Sequence, residues 1–209
     1  MGTDHYFSAQ PAGPDTRRPL QVVLAGAARQ LRTSSGIFSP DGVDKGTAVL
    51  LAEAPPPAPS GNLLDIGCGW GPIALTLGLR SPNAVVYAVD VNERCLALTR
   101  ENASSLGLPN VQASLPDEVD PTVEFSTIWS NPPIRVGKDE LHVLLLTWLP
   151  RLAPGGSAYL VVQKNLGSDS LQRWLGTELS ARFPELRLKV SRESTSKTFR
   201  ILRLLRPEE

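Results

Sequence analysis

Leu63-Leu64-Asp65-Ile66-Gly67-Cys68-Gly69-Trp70-Gly71-Pro72 reads as a strand, a glycine-rich turn and the start of a helix. Gly67 and Gly69 allow a tight turn and bring backbone against a ligand with no Cβ in the way. A dinucleotide site of the form G-x-G-x-x-G would put its third glycine at position 72, where Pro72 stands instead. Proline suits the first turn of the following helix, where no N–H is needed, so a nicotinamide reading is disfavoured. Asp65 agrees, because a carboxylate at the strand end repels a pyrophosphate and attracts the ammonium of an amino-acid moiety. Asp65 serves equally as an acceptor for the first N–H groups of the helix, and the residues alone leave both roles open.

Outward from this turn, apolar runs alternate with helix-periodic segments. Leu63–Ile66, Val85–Val89, a short stretch near Val111, Phe125–Ser130 and Ser157–Gln163 read as strands, and Trp70–Leu79, Glu93–Leu106, Asp139–Leu152 and Ser170–Arg182 as helices. Leu186–Val190 and Phe199–Leu205 close the chain as two strands around a polar turn. The expected fold class is α/β: a doubly wound, mostly parallel seven-stranded sheet ending in an antiparallel hairpin. Upstream, Leu20–Leu24 and a run near Ile37 form a small hairpin with its turn at Arg32–Gly36, and a short helix runs from Asp44 to Ala52. The proline-rich segment Ala54–Pro59 is a stiff linker. The expected organisation is an N-terminal extension, 1–59, packed on a core, 60–209, within one structural domain.

Apolar residues make up 41 % of the chain and charged ones 20 %, a balance that builds a globular core and excludes a disordered chain. No apolar run approaches the roughly 18 residues of a membrane helix, and the first residues are not expected to be a signal peptide. Cys68 and Cys95 lack paired spacing, which points to a reducing cytoplasm and away from zinc, so no metal is expected. The net charge of zero conceals an asymmetry: residues 41–181 carry 9 basic and 15 acidic side chains, residues 1–40 carry 4 and 2, and residues 182–209 carry 8 and 4. A nucleic-acid partner would meet the basic ends, although basic residues on a strand pair are more often a solvated surface.

Two further segments carry chemistry. Val89-Asp90-Val91-Asn92 ends the second strand of the core, where an acid accepts hydrogen bonds from a ribose diol or simply closes a turn. One acid for an ammonium, one for a diol and no phosphate cradle together describe S-adenosylmethionine. Asn131-Pro132-Pro133-Ile134 follows the strand at 125–130, and consecutive prolines continue neither sheet nor helix. The corner is either a rigid proline loop or a pair of fixed acceptors, the Asn131 side-chain oxygen and the Pro132 carbonyl, for the two N–H groups of an amine. Such acceptors would aim the nitrogen lone pair and stabilise the charge that develops on it.

These segments resemble class I S-adenosylmethionine-dependent methyltransferases. More narrowly, the chain resembles the small-domain (RsmC-like) family of 16S ribosomal RNA guanine-N2 methyltransferases. The resemblance rests on Phe38-Ser39-Pro40-Asp41-Gly42-Val43-Asp44-Lys45-Gly46-Thr47, the turn Asp65–Gly71, Asp90–Arg94, Asn131–Lys138, Val161–Lys164 and Ser196-Lys197, and it extends from His5-Tyr6-Phe7-Ser8 to the final strand. It implies cofactor contacts from Lys45, Thr47, Asp65, Gly67, Cys68, Gly69, Asp90, Val91 and Asn131, and chemistry at Asn131, Pro132, Pro133 and Ile134. Phe38 or Phe7 would stack on the target base, and Arg135 and Lys138 would hold phosphates of ribosomal RNA, free or in the small subunit. Two positions depart from the pattern. Leu115 stands where relatives carry an adenine-contacting acid, so a backbone group or Asp117 would replace it, and Ile134 stands where an aromatic residue is frequent. Ile134 weighs against the aromatic-ended relatives that methylate a glutamine amide or an adenine amine, and the intact Asp65, Asp90 and Asn131 weigh against a non-catalytic binding module.

Overall fold

The computed structural model describes residues 13–208. Seven strands form one sheet in the order β5 (Val111–Ser114), β4 (Asn83–Val89), β3 (Ser60–Ile66), β6 (Phe125–Ser130), β7 (Leu152–Gln163), β9 (Phe199–Leu205) and β8 (Lys189–Thr195). Every pairing from β5 to β7 is parallel, whereas β9 runs antiparallel to both β7 and β8. The α/β class, the parallel core and the terminal antiparallel pair match the sequence-based expectation. The order steps out from β3 to β5 on one side and to β6 on the other. The loops after β3 and β6 therefore meet at the switch point, where such sheets bind ligands.

Successive residues of β3 face opposite sides of the sheet, and both sides are buried. Leu64 and Ile66 join Phe125, Ile128, Leu160 and Leu202 beneath α4 (Lys138–Trp148) and α5 (Ser168–Trp174). Leu63 joins Val86, Trp129, Val161 and Ile201 beneath α1 (Lys45–Glu53) and α2 (Pro72–Arg80), with Leu96 of α3 (Glu93–Ser105) alongside. Burial on both faces explains why the parallel strands read as continuous apolar runs.

The N-terminal hairpin exists but turns elsewhere. β1 (Arg18–Leu24) pairs with β2 (Ala27–Thr33) through a two-residue turn at Ala25 and Gly26, whose φ values are 48° and 79°. Both turn residues adopt the left-handed conformation that two-residue hairpins require. Ala-Gly lacks the Asn-Gly signature, and β2 contributes few apolar side chains, so the pattern pointed to a later turn at 32–36. Leu20, Leu24 and Leu31 pack with Ile37, Trp70, Leu75 and Leu98, burying one face of the hairpin on α2 and α3. Several other boundaries moved, among them the start of β7, at Leu152, and the helix expected over Ser170–Arg182, of which α5 ends at Trp174 and runs into a π-helical turn. α2 begins at Pro72 because Trp70 is drawn into the hairpin cluster. α4 ends at Trp148 because Pro150 interrupts it. β8 begins at Lys189, after a proline-led turn at Pro184–Leu186. Among the described residues no helix is long and apolar enough to cross a membrane.

Candidate active site

The cradle is built where β3 ends. Gly67 and Gly69 have φ values of 77° and 58°, and a Cβ added to either would meet nothing within 4 Å. Glycine is thus demanded by the backbone angle, and the side on which a Cβ would project is open for a ligand. The N–H groups of Gly67 and Cys68 donate to the Val89 carbonyl at 2.9 and 3.0 Å, and the Gly69 N–H donates to Asp90 Oδ2 at 2.9 Å. The ends of β3 and β4 are therefore one unit. Opposite the glycines stand Phe38 and Ser39 from the segment after β2, Asp44 and Thr47 from the start of α1, and Asn131. The Trp70 indole N–H donates to the Ser39 carbonyl at 3.1 Å and ties that segment to the cradle.

Asp65 fills the helix-acceptor role and keeps one oxygen unused. Its Oδ2 accepts from the Ala74 N–H of α2 at 2.9 Å, while its Oδ1 is buried without a partner. Burial pushes its carboxyl well above the usual range, and the charge of Asp90 adds to the shift. Asp90 is also raised by burial, but N–H groups of Asn92 and Gly69 offset part of that cost. Next to it, Val91 is 41 % exposed at the strand tip. Burial, together with Asp90 and Asp65, holds the Cys68 thiol well above its usual value, so it is neither base nor nucleophile.

Asn131 is held by its amide nitrogen. Nδ2 donates to Asp44 Oδ2 at 2.9 Å and to Thr47 Oγ1 at 3.1 Å. A carboxylate only accepts, so this partner fixes which end of the amide faces it. No described residue donates to Oδ1, and the oxygen is left as an acceptor at the cleft. The same Asp44 oxygen caps α1, accepting from the Gly46 and Thr47 N–H groups at 2.8 and 3.4 Å. Pro132 is buried, and its carbonyl accepts from the Ile134 N–H at 2.8 Å. One of its two lone pairs is therefore already used and the other is available. Ile134 is half-buried against the core beneath α4.

The sequence model described as methyltransferase small domain matches residues 28–197. The chain belongs to the methyltransferase small domain family. An uncharacterized protein, YbxB of Bacillus subtilis, is 34 % identical over 171 residues, covering 80 % of this chain and 85 % of its own. Ribosomal RNA small subunit methyltransferase C of Pseudomonas syringae pv. syringae is 36 % identical over 121 residues, 57 % of this chain and 36 % of that protein. This methyltransferase thus matches little more than a third of that relative's length. Among solved structures, the T. thermophilus 16S rRNA N2 G1207 methyltransferase (RsmC), in complex with AdoMet and guanosine, superposes with a TM-score of 0.73 at 21 % identity. The match covers 92 % of this chain and 51 % of that one.

The cleft of this methyltransferase fits S-adenosylmethionine on its own donor set. The orphaned Asp65 oxygen lacks a donor that an ammonium would supply, the open glycine side would receive the ligand's chain, and Val91 would offer an apolar surface beside Asp90. Of the expected contacts, Phe38, Thr47, Gly67, Cys68, Gly69 and Asn131 line the cleft. Asp65 lies buried beneath it, and Asp90 and Val91 adjoin it through Gly69. Lys45, Arg135 and Lys138 are exposed at its margin, and Phe7 lies outside the described residues. The backbone at Leu115 is engaged, since its N–H donates to Glu118 Oε2 at 2.8 Å, while Asp117 is exposed. Sequence reasoning missed Asp44 as a site residue and Trp70 as a fastener. The signal for Asp44 was its place just before a helix start and within the segment 38–47.

Proposed function

We propose that this methyltransferase transfers a methyl group from S-adenosylmethionine to an exocyclic amino group, and that the group is guanine N2 of 16S ribosomal RNA. The observation that carries the reading is the Asn131 amide, anchored through nitrogen by Asp44 and Thr47 with its oxygen left as an acceptor. An exocyclic amine conjugated to a ring is a poor nucleophile. Asn131 Oδ1 and the second lone pair of the Pro132 carbonyl take its two N–H bonds and turn the lone pair towards the cleft, so positioning supplies most of the rate. The cofactor supplies an electrophilic methyl on a sulfonium. As nitrogen becomes positive, the two oxygens stabilise the charge, and the proton then leaves to solvent without a strong base. Asp65 would meet the ammonium, Thr47 with Lys45 the carboxylate, and Asp90 the ribose diol, while Phe38 would stack on the base and Ile134 support its other face. Arg135 and Lys138 would hold neighbouring phosphates. We place the protein in the cytoplasm with its substrate, and we take residues 1–59 as an extension that completes the site. Support for the RNA substrate comes from the ribosomal RNA methyltransferases among the relatives and from Ile134 in place of an aromatic residue.

The test is mass spectrometry of ribosomal RNA nucleosides from a deletion strain, with small subunits from that strain remethylated in vitro. Loss and in vitro return of one N2-methylguanosine are expected, and Asn131→Ala should lower turnover by about 100-fold or more while cofactor affinity stays within a few-fold. An unchanged nucleoside profile would sink the RNA reading. A release factor glutamine methyltransferase of Flavobacterium psychrophilum is 37 % identical over 96 residues, 44 % of this chain, so a release factor is the second substrate to assay.

A further inference from the structure

The two kinds of cation are used differently in this protein. Most arginines of the last strands are neutralised: Arg192 and Arg200 pair with Asp169, Arg203 with Glu193, and Arg206 with Glu124. The chain has five lysines, and four of them, Lys45, Lys138, Lys164 and Lys197, gather at the sheet edge where β3, β6 and β7 end. Their neighbours connect them. Asp44, beside Lys45, binds Asn131, and Lys138 opens α4 just after that corner, with exposed Arg135 between them. The Lys164 N–H donates to the Thr198 carbonyl at 2.9 Å, next to Lys197. The Phe199 ring reaches within 3.1 Å of the position a Cβ on Gly46 would occupy, which returns to Lys45. No carboxylate among the described residues lies within ion-pair distance of these four lysines or of Arg135. Of the acids nearby, Asp44 is committed to its cap and to Asn131 and Asp41 to Arg18, while Asp139 and Glu140 stand exposed in the first turn of α4.

We propose that Arg135, Lys138, Lys164 and Lys197 form a phosphate-holding rim that keeps a single RNA strand across the mouth of the cleft while one base turns into it. This rests on the RNA reading above. Cations without partners give up no ion pair on meeting phosphate, and ammonium groups on flexible stems grip a backbone without reading its sequence. A base must leave its stack to reach Asn131, and Phe38, 48 % exposed at the cleft, offers a ring for it to stack on. A second unpaired group, Arg182, Arg187 and Lys189, lies at the opposite edge where β8 begins, about 23 Å away along seven residues of strand.

The experiment measures anisotropy of a labelled single-stranded oligoribonucleotide across a salt series. Each single-strand phosphate contact contributes about 0.7 to the slope of log affinity against log salt, so K138Q/K164Q/K197Q should lower the slope by about 2. R182Q/R187Q/K189Q should leave it unchanged, and both variants should keep the wild-type melting temperature and cofactor affinity. An unchanged slope in the rim variant, an equal fall in the opposite-edge variant, or a wild-type protein that binds no RNA at low salt and engages a release factor instead would each overturn the proposal. Failure of the guanine-N2 reading alone looks different: RNA held with the expected slope, but no N2-methylguanosine formed.

Discussion

Asn131→Asp is nearly isosteric, yet here it should be severe. Asn131 Nδ2 sits 2.9 Å from Asp44 Oδ2, and the substitution puts a second carboxylate oxygen where the donor was. Two unit charges at that separation repel by about 6 kcal/mol at an effective dielectric of about 20, which sets an upper bound. The loss of a hydrogen bond to a charged group, about 1.5–3 kcal/mol, adds to it. The pair escapes part of this by moving apart or by holding one proton between them, so about 2–4 kcal/mol of stability should be lost at neutral pH. For a chain of this size that is roughly 5–15 °C in Tm. The sign follows from the shared proton. The folded variant binds a proton more tightly than the unfolded chain, so the defect is smallest in acid and grows as pH rises. The reciprocal exchange tests the cause. In D44N/N131D the charge repulsion is gone, and because one Asp44 oxygen makes both contacts, the new amide keeps either the α1 cap through oxygen or the bond to residue 131 through nitrogen. Thermal melts at several pH values, with methyl-transfer rates, would read both effects, and the double variant should recover most of the stability and at least about tenfold of the activity lost by the single one. An N131D protein as stable as the wild type across pH, or a double variant no better than N131D, would refute the reasoning.

Other predictions concern the same cleft. Because burial raises the Asp65 carboxyl, the stability it contributes is present in acid and lost as pH rises through its raised value. Asp65→Asn should therefore raise the Tm of the cofactor-free protein near about pH 8, by a margin that shrinks towards about pH 5. Calorimetry should also show weakened cofactor binding; unchanged affinity would remove Asp65 from the ammonium site. A Cβ at Gly46 would stand 3.0 Å from Asp44 Oδ2 and 3.4 Å from Asn131 Nδ2, so Gly46→Ala should lower kcat with cofactor Kd within a few-fold, and an unaffected kcat would show that the lock tolerates displacement. Trp70→Phe removes the bond to Ser39 at a cost of about 1 kcal/mol. It should weaken cofactor binding more than the modest fall in Tm accounts for, as titration calorimetry beside a thermal melt would show.

Much of the fold was legible because the signals were local and strong. Parallel strands buried on both faces produce short continuous apolar runs, whereas the helix limits at Pro72 and Trp148 were read past, to Trp70 and Leu152. The N-terminal hairpin was misread because its turn, Ala25-Gly26, relies on an alanine at positive φ. The β1–β2 ladder and the packing of Leu20, Leu24 and Leu31 on α2 and α3 hold that conformation. The site divides along the same line.

The chain by itself determined the glycine turn, the two acids at strand ends and the rigid Asn-Pro-Pro corner, because each is a property of a few consecutive residues. Only tertiary structure decided what those residues face. Asp44 and Asn131 lie 87 positions apart, and no local pattern shows that a helix-capping carboxylate also fixes the orientation of the amide. The free oxygen of Asp65, the committed lone pair of Pro132 and the unpaired lysines around the cleft are likewise facts of proximity. Hydrogen bonding and charge act through space, and the order of strands in the sheet sets those distances.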